Sequence, residues 1–224
     1  APTDIIDLGM VKDLAGIKSD GKTVTIGAMA RHAEVEGSAE VRKAIPALAA
    51  LAGMIGDRQV RNMGTLGGSI ANSDPAADYP AAVLGLGATI TTTKGTHAAD
   101  KFFEGLYETA LKPGEIITSV SFPVPRRAAY MKFKNQASRF AIVGVFVADM
   151  GNGVRVAVTG AGPGGLRGEA AETALAKSFK PAALEGLKLD ASNFNSDIHA
   201  DREYRANLVR VMAKRALAKL SGRK

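Results

Sequence analysis

Cysteine and tryptophan are absent from this chain of 224 residues, and histidine occurs only three times. Because there is no cysteine, these residues can form no disulfide and can offer no thiolate to a zinc site or an iron–sulfur cluster. The histidines, His32, His97 and His199, are far apart in the sequence and follow no metal-ligand spacing. We therefore expect no metal site in this chain.

Long apolar segments are also lacking. The most apolar segment, FAIVGVFVA at residues 140–148, is followed by Asp149 and is much shorter than the roughly 20 residues that span a bilayer. No basic segment leads into an apolar run near the N-terminus, so no signal peptide is indicated. These features predict a cytoplasmic protein without a membrane span.

The net charge of +7 comes from one end of the chain. Residues 202–224 contain eight Lys or Arg and one acid, whereas the remaining residues contain 21 basic and 21 acidic side chains. An apolar side chain recurs at every fourth position of this segment, at Tyr204, Leu208, Met212, Ala216 and Leu220. The segment therefore predicts an amphipathic helix with a solvated basic face, and a docking surface for an acidic partner stays an alternative. We expect no nucleic-acid partner, because the rest of the chain is neutral.

Short strands and helices alternate in the first part of the chain. Short apolar runs bounded by turn residues predict strands at residues 4–8, 14–18, 23–29, 88–93 and 116–122. A helix is predicted from Pro46 to Gly56, and another with Asp74 as its N-cap and Pro75 at its first position. The segment FPVPRRAAY then interrupts the pattern, and we place a module boundary there, at residue 125.

Three segments beyond that boundary, AAYMKFK, FAIVGVFVADM and GVRVAVTGAG, predict antiparallel strands, and the turn Gly151-Asn152-Gly153 joins the last two. Helices follow from about Arg167. We therefore predict an α+β fold in two modules, residues 1–125 and residues 126–224. The second module is expected to hold a small three-stranded antiparallel sheet covered by helices.

The stretch RNMGTLGGSIANSDPAAD at residues 61–78 contains many small residues and few bulky ones. Backbone N–H groups at Gly67 and Gly68 could approach a phosphate closely, and the hydroxyls of Thr65 and Ser69 could add donors. Asp78 could accept hydrogen bonds from a ribose. The chemistry of the residues leaves two interpretations open: an anion-binding loop, or a tight turn that needs glycine for its geometry.

A second glycine-rich stretch, TGAGPGGLRG, matches the dinucleotide-binding pattern G-x-G-x-x-G at Gly160, Gly162 and Gly165. Pro163 removes a backbone donor where a pyrophosphate would need one, and the preceding strand belongs to a predicted hairpin. No strand that ends in an acid follows about 20 residues later. We interpret this stretch as a connecting loop, and a Rossmann-type NAD(P)-binding protein stays an alternative.

Four blocks of the sequence, in order, resemble the flavin subunits of the molybdenum hydroxylase family. The segment RQVRNMGTLGGSIANSDPAADYPAAVLGLGA resembles the second FAD-binding motif of the medium subunit of aerobic carbon monoxide dehydrogenase and of the related FAD domain of xanthine dehydrogenase. The other blocks are PTDIIDLGMVKDLAGIKSDGKTVTIGAMARHAEV, KFFEGLYETALKPGEIITSVSFP and AAYMKFKNQASRFAIVGVFVA. The resemblance covers nearly the whole chain.

This resemblance implies FAD as the cofactor and assigns residues to it. The residues that match the family's T-[IL]-G-G-N loop around the pyrophosphate are Thr65, Leu66, Gly67, Gly68 and Ser69, with serine in place of the usual asparagine. Asp78 matches an acid that contacts the adenosine part, and Lys132 matches a lysine near the isoalloxazine ring. Val60 and Ile117 match positions that line the flavin. For Val60, Ile117 and Lys132 a purely structural role stays an alternative, and no catalytic side chain is implied.

The function implied by the resemblance is electron transfer in a larger enzyme. A large partner subunit would hold molybdopterin, and a small partner subunit would hold two [2Fe–2S] clusters that pass electrons through FAD to an external acceptor. The fold implied is the remainder of a two-subdomain FAD-binding domain followed by the small second module. A non-catalytic partner-binding domain that has lost flavin binding stays a further alternative.

The family's first glycine-rich loop, of the form A-G-G-x-S, has no counterpart in this sequence. We therefore expect an N-terminally shortened subunit with FAD as its cofactor, and absence of FAD from the shortened chain is an alternative, because two such loops meet on one pyrophosphate in the family. On this expectation the 224-residue chain does not hold FAD stably by itself.

Overall fold

The structure, a computed structural model, describes residues 3–222. The strands, in chain order, are β1 (Ile17–Ser19), β2 (Thr23–Gly27), β3 (Thr89–Thr92), β4 (Gly95–Ala98), β5 (Phe103–Gly105), β6 (Glu108–Thr109), β7 (Ile117–Pro123), β8 (Arg127–Lys134), β9 (Ala141–Asp149), β10 (Val154–Thr159) and β11 (Leu166–Arg167). The α-helices are α1 (His32–Gly37), α2 (Ala39–Ala44), α3 (Pro46–Gly53), α4 (Arg58–Met63), α5 (Leu66–Asn72), α6 (Tyr79–Leu86), α7 (Glu169–Lys177) and α8 (Arg202–Leu220). Short 3-10 helices cover Lys12–Leu14, Ala99–Lys101 and Pro181–Leu184.

A five-stranded sheet in the order β1-β2-β7-β3-β4 frames the first part of the chain, and all neighbours in it are antiparallel. Strand β7 lies at the centre, and its alternate residues Val120 and Phe122 are fully buried. Helix α6, with the sequence YPAAVLGL, is buried along its whole length and contacts strands of both large sheets. A helix that is apolar on all sides fits such a position between two sheets.

A four-stranded antiparallel sheet in the order β11-β10-β9-β8 forms the second part. The three predicted strands and the α+β fold are confirmed, and the two-residue strand β11 adds a fourth. Every residue of β9 except Asp149 is buried, because alternate side chains enter two different cores. Phe146 and Ala148 join the core of the first sheet, whereas Val145 and Val147 pack in the core with α7 and α8. Burial on both faces explains why this strand is apolar without alternation.

The amphipathic helix predicted near the C-terminus is present as α8. Asp201 caps it by accepting a hydrogen bond from the Tyr204 backbone at 2.7 Å. Leu208, Met212 and Ala216 are buried against the second sheet. Within residues 3–222 no helix combines enough length and apolarity to cross a bilayer. The module boundary at residue 125 stays a prediction.

The strand predicted at residues 4–8 is wrong. These residues have no regular secondary structure, and the side chains of Ile5 and Ile6 are 88% and 82% exposed. The next predicted strand, at residues 14–18, is shifted to β1, which begins at Ile17. An apolar run forms a stable strand only where another strand pairs with it, and within residues 3–222 none pairs with residues 4–8.

The helix predicted to begin at Pro75 begins four residues later, at Tyr79. The carboxylate of Asp74 accepts a hydrogen bond from the Ala76 backbone at 2.8 Å, so it closes a turn and caps no helix. The Pro75 carbonyl accepts from the N–H of Gly160, also at 2.8 Å. A helix that began at Pro75 would need this carbonyl as an acceptor for one of its own backbone hydrogen bonds, and the bond to Gly160 already uses it.

Candidate functional site

The glycine-rich stretch at residues 61–78 folds as short capped helices and not as an open loop. Asp57 caps α4 by accepting from the Val60 backbone at 2.8 Å, and Thr65 caps α5 by accepting from the Gly68 backbone at 3.2 Å. Thr65 also forms a bridge to Arg31, beside the end of β2. The middle of the stretch, at Thr65, is therefore held against the first sheet.

Gly67 allows α5 to approach β2 closely. Its N–H donates to the Ala28 carbonyl at 2.8 Å, so this donor is already used within the protein. A Cβ atom at Gly67 would lie 2.6 Å from the Cβ of Ala28, which no packing tolerates. Gly67 and Gly68 both have negative φ, so the left-handed geometry that favours glycine is not the reason for either residue.

Gly68 has a different environment, because it is exposed. A Cβ atom there would meet only the Thr65 hydroxyl, at 2.9 Å, and would otherwise project into open space. The Thr65 hydroxyl accepts the Gly68 N–H and therefore keeps its own proton for a ligand. The absence of a side chain at Gly68 leaves room for a ligand beside a hydroxyl donor.

A cleft of about 260 Å³ opens at this point, between α5 and the start of β7. It is lined by Leu8, Leu14, Ala28, Met29, Thr65, Gly67, Gly68, Ala71, Leu111, Glu115, Ile116 and Ile117. Four of the sequence-predicted site residues, Thr65, Gly67, Gly68 and Ile117, are therefore brought together. The cleft is smaller than the roughly 300–1,000 Å³ of typical ligand pockets, so it fits part of a cofactor of the size of FAD.

Three other predicted site residues, Leu66, Ser69 and Val60, do not line this cleft. The side chain of Leu66 is fully buried in the core, so only its backbone belongs to the loop. Ser69 is half-buried at the next turn of α5. Val60 is 47% exposed on α4, where it packs against the backbone of Gly56.

Asp78 and Lys132 form a buried ion pair. The ammonium of Lys132 lies 2.8 Å from one carboxylate oxygen of Asp78, and the Tyr130 hydroxyl donates to the other at 2.6 Å. Lys132 also donates to the Met54 carbonyl at 3.0 Å, and its side chain is 1% exposed. Burial raises the pKa of Asp78, whereas the ammonium and the two hydrogen bonds oppose that rise.

The ion pair bears directly on the roles implied for its two members. Asp78 and Lys132 are in contact and so lie at the same place in the protein. The resemblance, however, assigns them to adenosine and to isoalloxazine, which are the two ends of FAD. Their separate contacts with the cofactor stay predictions. Sequence reasoning missed Tyr130, although a signal existed: it lies two residues before Lys132 on β8 and so shares its face of the strand.

Two further buried polar groups lie near this ion pair. The His32 ring packs on the Tyr79 ring at a centroid distance of 5.3 Å. Within residues 3–222, neither the His32 Nδ1 atom nor the Tyr79 hydroxyl has a hydrogen-bond partner. Burial, with a smaller contribution from Arg61, lowers the pKa of His32 to about 4, so the ring is neutral at pH 7.

The second glycine-rich stretch is a connecting loop. Strand β10, which leads into it, is antiparallel to both of its neighbours, so no parallel βαβ unit is present there. The N–H of Gly160 is bonded to Pro75, and the Gly162 carbonyl accepts from the Asn195 side chain at 2.7 Å. The Rossmann-type alternative is therefore wrong, since that fold requires a parallel unit at the glycine loop.

Comparison with known proteins gives consistent matches. The family described as FAD binding domain in molybdopterin dehydrogenase matches residues 1–125. The carbon monoxide dehydrogenase medium chain of Hydrogenophaga pseudoflava is 32% identical over 232 residues, which cover 96% of this chain and 81% of that protein. The nicotine 6-hydroxylase medium subunit of Paenarthrobacter nicotinovorans is 34% identical over 236 residues, covering 99% of this chain and 83% of that protein.

A solved structure extends the match to the fold. The reconstituted CO dehydrogenase from Oligotropha carboxidovorans superposes with a TM-score of 0.87 at 31% sequence identity. The match covers 95% of this chain and 80% of that chain, so it includes both sheets.

Proposed function

This chain belongs to the family of FAD-binding domains in molybdopterin dehydrogenases, and from that premise we propose that it passes electrons from iron–sulfur clusters of a partner chain through FAD to an external acceptor. It is an FAD-binding medium subunit of the molybdenum hydroxylase type and part of an oxidoreductase. The electron path through FAD and its direction belong to the proposal.

The observation that carries the proposal is the cleft between α5 and the start of β7. On one side the missing side chain of Gly68 leaves room for a phosphate, and the Thr65 hydroxyl can donate to it. Ile117, which is apolar and only 4% exposed, lines the opposite side. FAD supplies the redox chemistry when it is bound, whereas these residues bind it, orient it and exclude water.

The partners are proposed from the relatives. The 224 residues include no cysteine, so they supply no thiolate ligand to an iron–sulfur cluster. The relatives are named medium chains or medium subunits, which supports an assembly with other subunits. We propose a small [2Fe–2S] subunit and a large molybdopterin subunit as the partners. A cytoplasmic location stays a prediction from the sequence.

A titration with FAD up to millimolar concentration tests this assignment, because it detects weak binding by a chain that is not expected to hold FAD stably. Replacing Gly68 with valine should weaken FAD binding by at least about a hundredfold, equal to about 2.7 kcal/mol, because the new side chain would fill the cleft beside Thr65. Gly164→Val is the matched control, since a Cβ atom there meets only the Gly105 carbonyl, at 3.5 Å. Flavin absorbance and fluorescence at increasing FAD concentration measure both constants.

Two outcomes would contradict the proposal. Equal FAD affinity of the two variants would mean that the cleft beside Gly68 is not the binding site. No saturable binding by the unsubstituted protein, even at millimolar FAD, would favour the alternative of a partner-binding domain without flavin.

A further inference from the structure

A buried carboxylate lies in the wall of the cleft, outside both glycine-rich stretches. The side chain of Glu115, immediately before β7, is only 2% exposed. One of its oxygens accepts from the Thr92 hydroxyl and, at 2.9 Å, from His97 Nε2. The other oxygen accepts from the Lys112 backbone at 2.9 Å. Thr92 ends β3 and His97 lies on β4, so the carboxylate joins two strands and a turn.

A carboxylate suits this arrangement. One oxygen accepts from the Lys112 backbone N–H, and the other accepts from the Thr92 hydroxyl and from His97 when its Nε2 carries the proton. An amide would require the Thr92 hydroxyl to turn to the Gly95 carbonyl and His97 to take its other tautomer. The hydrogen bond from His97, followed by those from Thr92 and the Lys112 backbone, lowers the pKa of Glu115 to about 2. The charge is therefore present at all ordinary pH values.

The carboxylate fixes the turn that carries one wall of the cleft. Between Lys112 and Glu115 the chain closes a tight turn, with Gly114 at φ +71° and a backbone bond of 2.9 Å between its ends. Lys94 adds a bond of 2.8 Å to the Pro113 carbonyl. Ile117, which lines the cleft, follows this turn directly.

A β-bulge connects the same point to the other wall. The register between β3 and β7 shifts at Thr91 and Thr92, so that Thr118 is the extra residue. The Thr118 carbonyl accepts from the Ala28 N–H at 3.0 Å, and the Ala28 carbonyl accepts from the Gly67 N–H at 2.8 Å. An unbroken series of backbone bonds therefore runs from the bulge to the glycines beside the ligand space. Bulges commonly aim side chains next to functional sites.

We propose that Glu115 is a positioning residue for FAD binding: it locks the turn and the bulge of β7, and through them it sets the distance between Ile117 on one wall and Gly67 on the other. This inference rests on the proposed function, because FAD is taken as the occupant of the cleft. Glu115 makes no contact with the cofactor in this role.

Two pairs of variants test the role by FAD affinity and by hydrogen exchange of residues 110–118. Glu115→Gln should weaken FAD binding by about tenfold or more, equal to about 1.4 kcal/mol, and should speed exchange in this segment by a similar factor. Its matched control is Glu172→Gln. Glu172 also accepts from a backbone N–H, that of Val156, and from Arg167, but it lies on α7, beside the second sheet, and does not line the cleft. This control should change neither quantity.

The second pair of variants changes only the side chain of Thr92 and removes either its hydroxyl or its methyl group. Thr92→Val removes the hydroxyl at nearly constant shape, and with it the bonds to Glu115, to the Gly95 carbonyl and from the Lys94 N–H, and should weaken FAD binding several-fold. Thr92→Ser keeps the hydroxyl and should retain affinity within about twofold. This pair decides the question if Glu115→Gln fails to fold.

The outcomes separate the two hypotheses. Two results would overturn the positioning role and leave the proposed function intact. One is unchanged FAD affinity in folded Glu115→Gln and in Thr92→Val. The other is an equal loss of FAD affinity in Thr92→Val and Thr92→Ser. No FAD binding by the unsubstituted protein would overturn the proposed function and the positioning role with it. Loss of affinity confined to Glu115→Gln and Thr92→Val would support both.

Discussion

At the scale of single residues, the charges buried between the two sheets have the largest energetic consequences. The side chains of Lys132 and Asp78 are 1% and 4% exposed, and neither has access to water that could replace its partner. Tyr130 and the Met54 carbonyl satisfy their remaining hydrogen-bonding capacity. Such a pair adds little net stability when complete but becomes costly when one member is removed.

Removal of the lysine should therefore be strongly destabilising. We expect Lys132→Met to lower the free energy of unfolding by about 3–5 kcal/mol, because Asp78 would stay buried without its counter-charge. The double variant Asp78→Asn/Lys132→Met should recover part of this loss. Lys134→Met, on the exposed end of the same strand, should change stability by less than about 0.5 kcal/mol. Urea unfolding at pH 7 measures all three, and equal effects at the two lysines would refute the ion-pair argument.

His32 makes stability depend on pH. Its pKa in the folded protein is about 4, below the ordinary 6.5, so the folded state favours the neutral ring. The stability it contributes is complete above pH 6.5 and is lost as the pH falls from 6.5 towards 4. After a discount for solvent screening the loss should be roughly 2 kcal/mol.

The difference between the unsubstituted protein and His32→Gln isolates this effect from other titrations. The unsubstituted protein should lose more unfolding free energy between pH 7 and about pH 4.5 than the variant, because glutamine does not ionise in this range. Urea unfolding at several pH values gives the comparison. Parallel pH profiles would show that His32 is not held in its neutral form.

At the scale of elements, the ends of strands and helices are set by contacts with distant segments. Strand β10 ends at Thr159, and the next residue, Gly160, has φ +81° and a carbonyl that accepts from the buried Arg205 side chain at 2.7 Å. The same guanidinium donates to the Ile142 carbonyl at 2.7 Å. One arginine of α8 thus holds the ends of β9 and β10 together.

Gly160 should therefore tolerate no side chain. A Cβ atom there would lie 2.5 Å from the carbonyl oxygens of Ala141 and Ile142, so we expect Gly160→Ala to cost about 3 kcal/mol or more, from the left-handed geometry and the overlap together. Gly21→Ala is the control: its φ is +86°, but nothing lies within 4 Å of the new Cβ, and about 1 kcal/mol is expected. Thermal and urea unfolding measure the costs, and equal values would argue against the overlap.

At the scale of the whole molecule, the two sheets share part of one core. Tyr130 and Phe146 of the second sheet are buried in the apolar cluster of the first sheet. Across the surface, Asp100 pairs with Arg155 and Arg167 of the second sheet. These contacts couple the stability of one sheet to that of the other.

We expect a single cooperative unfolding transition for this reason. Far-ultraviolet and near-ultraviolet circular dichroism should give coincident curves in urea, and Phe146→Ala should lower the common midpoint by removing about 3–5 kcal/mol of stability. Two separate transitions, or an effect of Phe146→Ala on only one of them, would mean that the sheets unfold independently.

The sequence by itself determined the α+β fold, the antiparallel strands β8, β9 and β10 and the amphipathic helix α8. Each of these follows from patterns within one segment, such as apolar periodicity or a turn at Gly151-Asn152-Gly153. The resemblance of four ordered blocks also identified the family and its cofactor. For the site, it selected the stretch around Gly67 and Gly68 that lines the cleft.

Only the tertiary structure determined which residues, distant in the sequence, form hydrogen bonds and ion pairs with one another. Asp78 and Lys132 are 54 residues apart, and Glu115 lies 23 residues from Thr92, so no local pattern marks either contact. The start of α6 likewise depends on Gly160 taking the Pro75 carbonyl. Hydrogen bonds satisfy buried groups with whatever partner the packing brings near, and that packing depends on all segments at once.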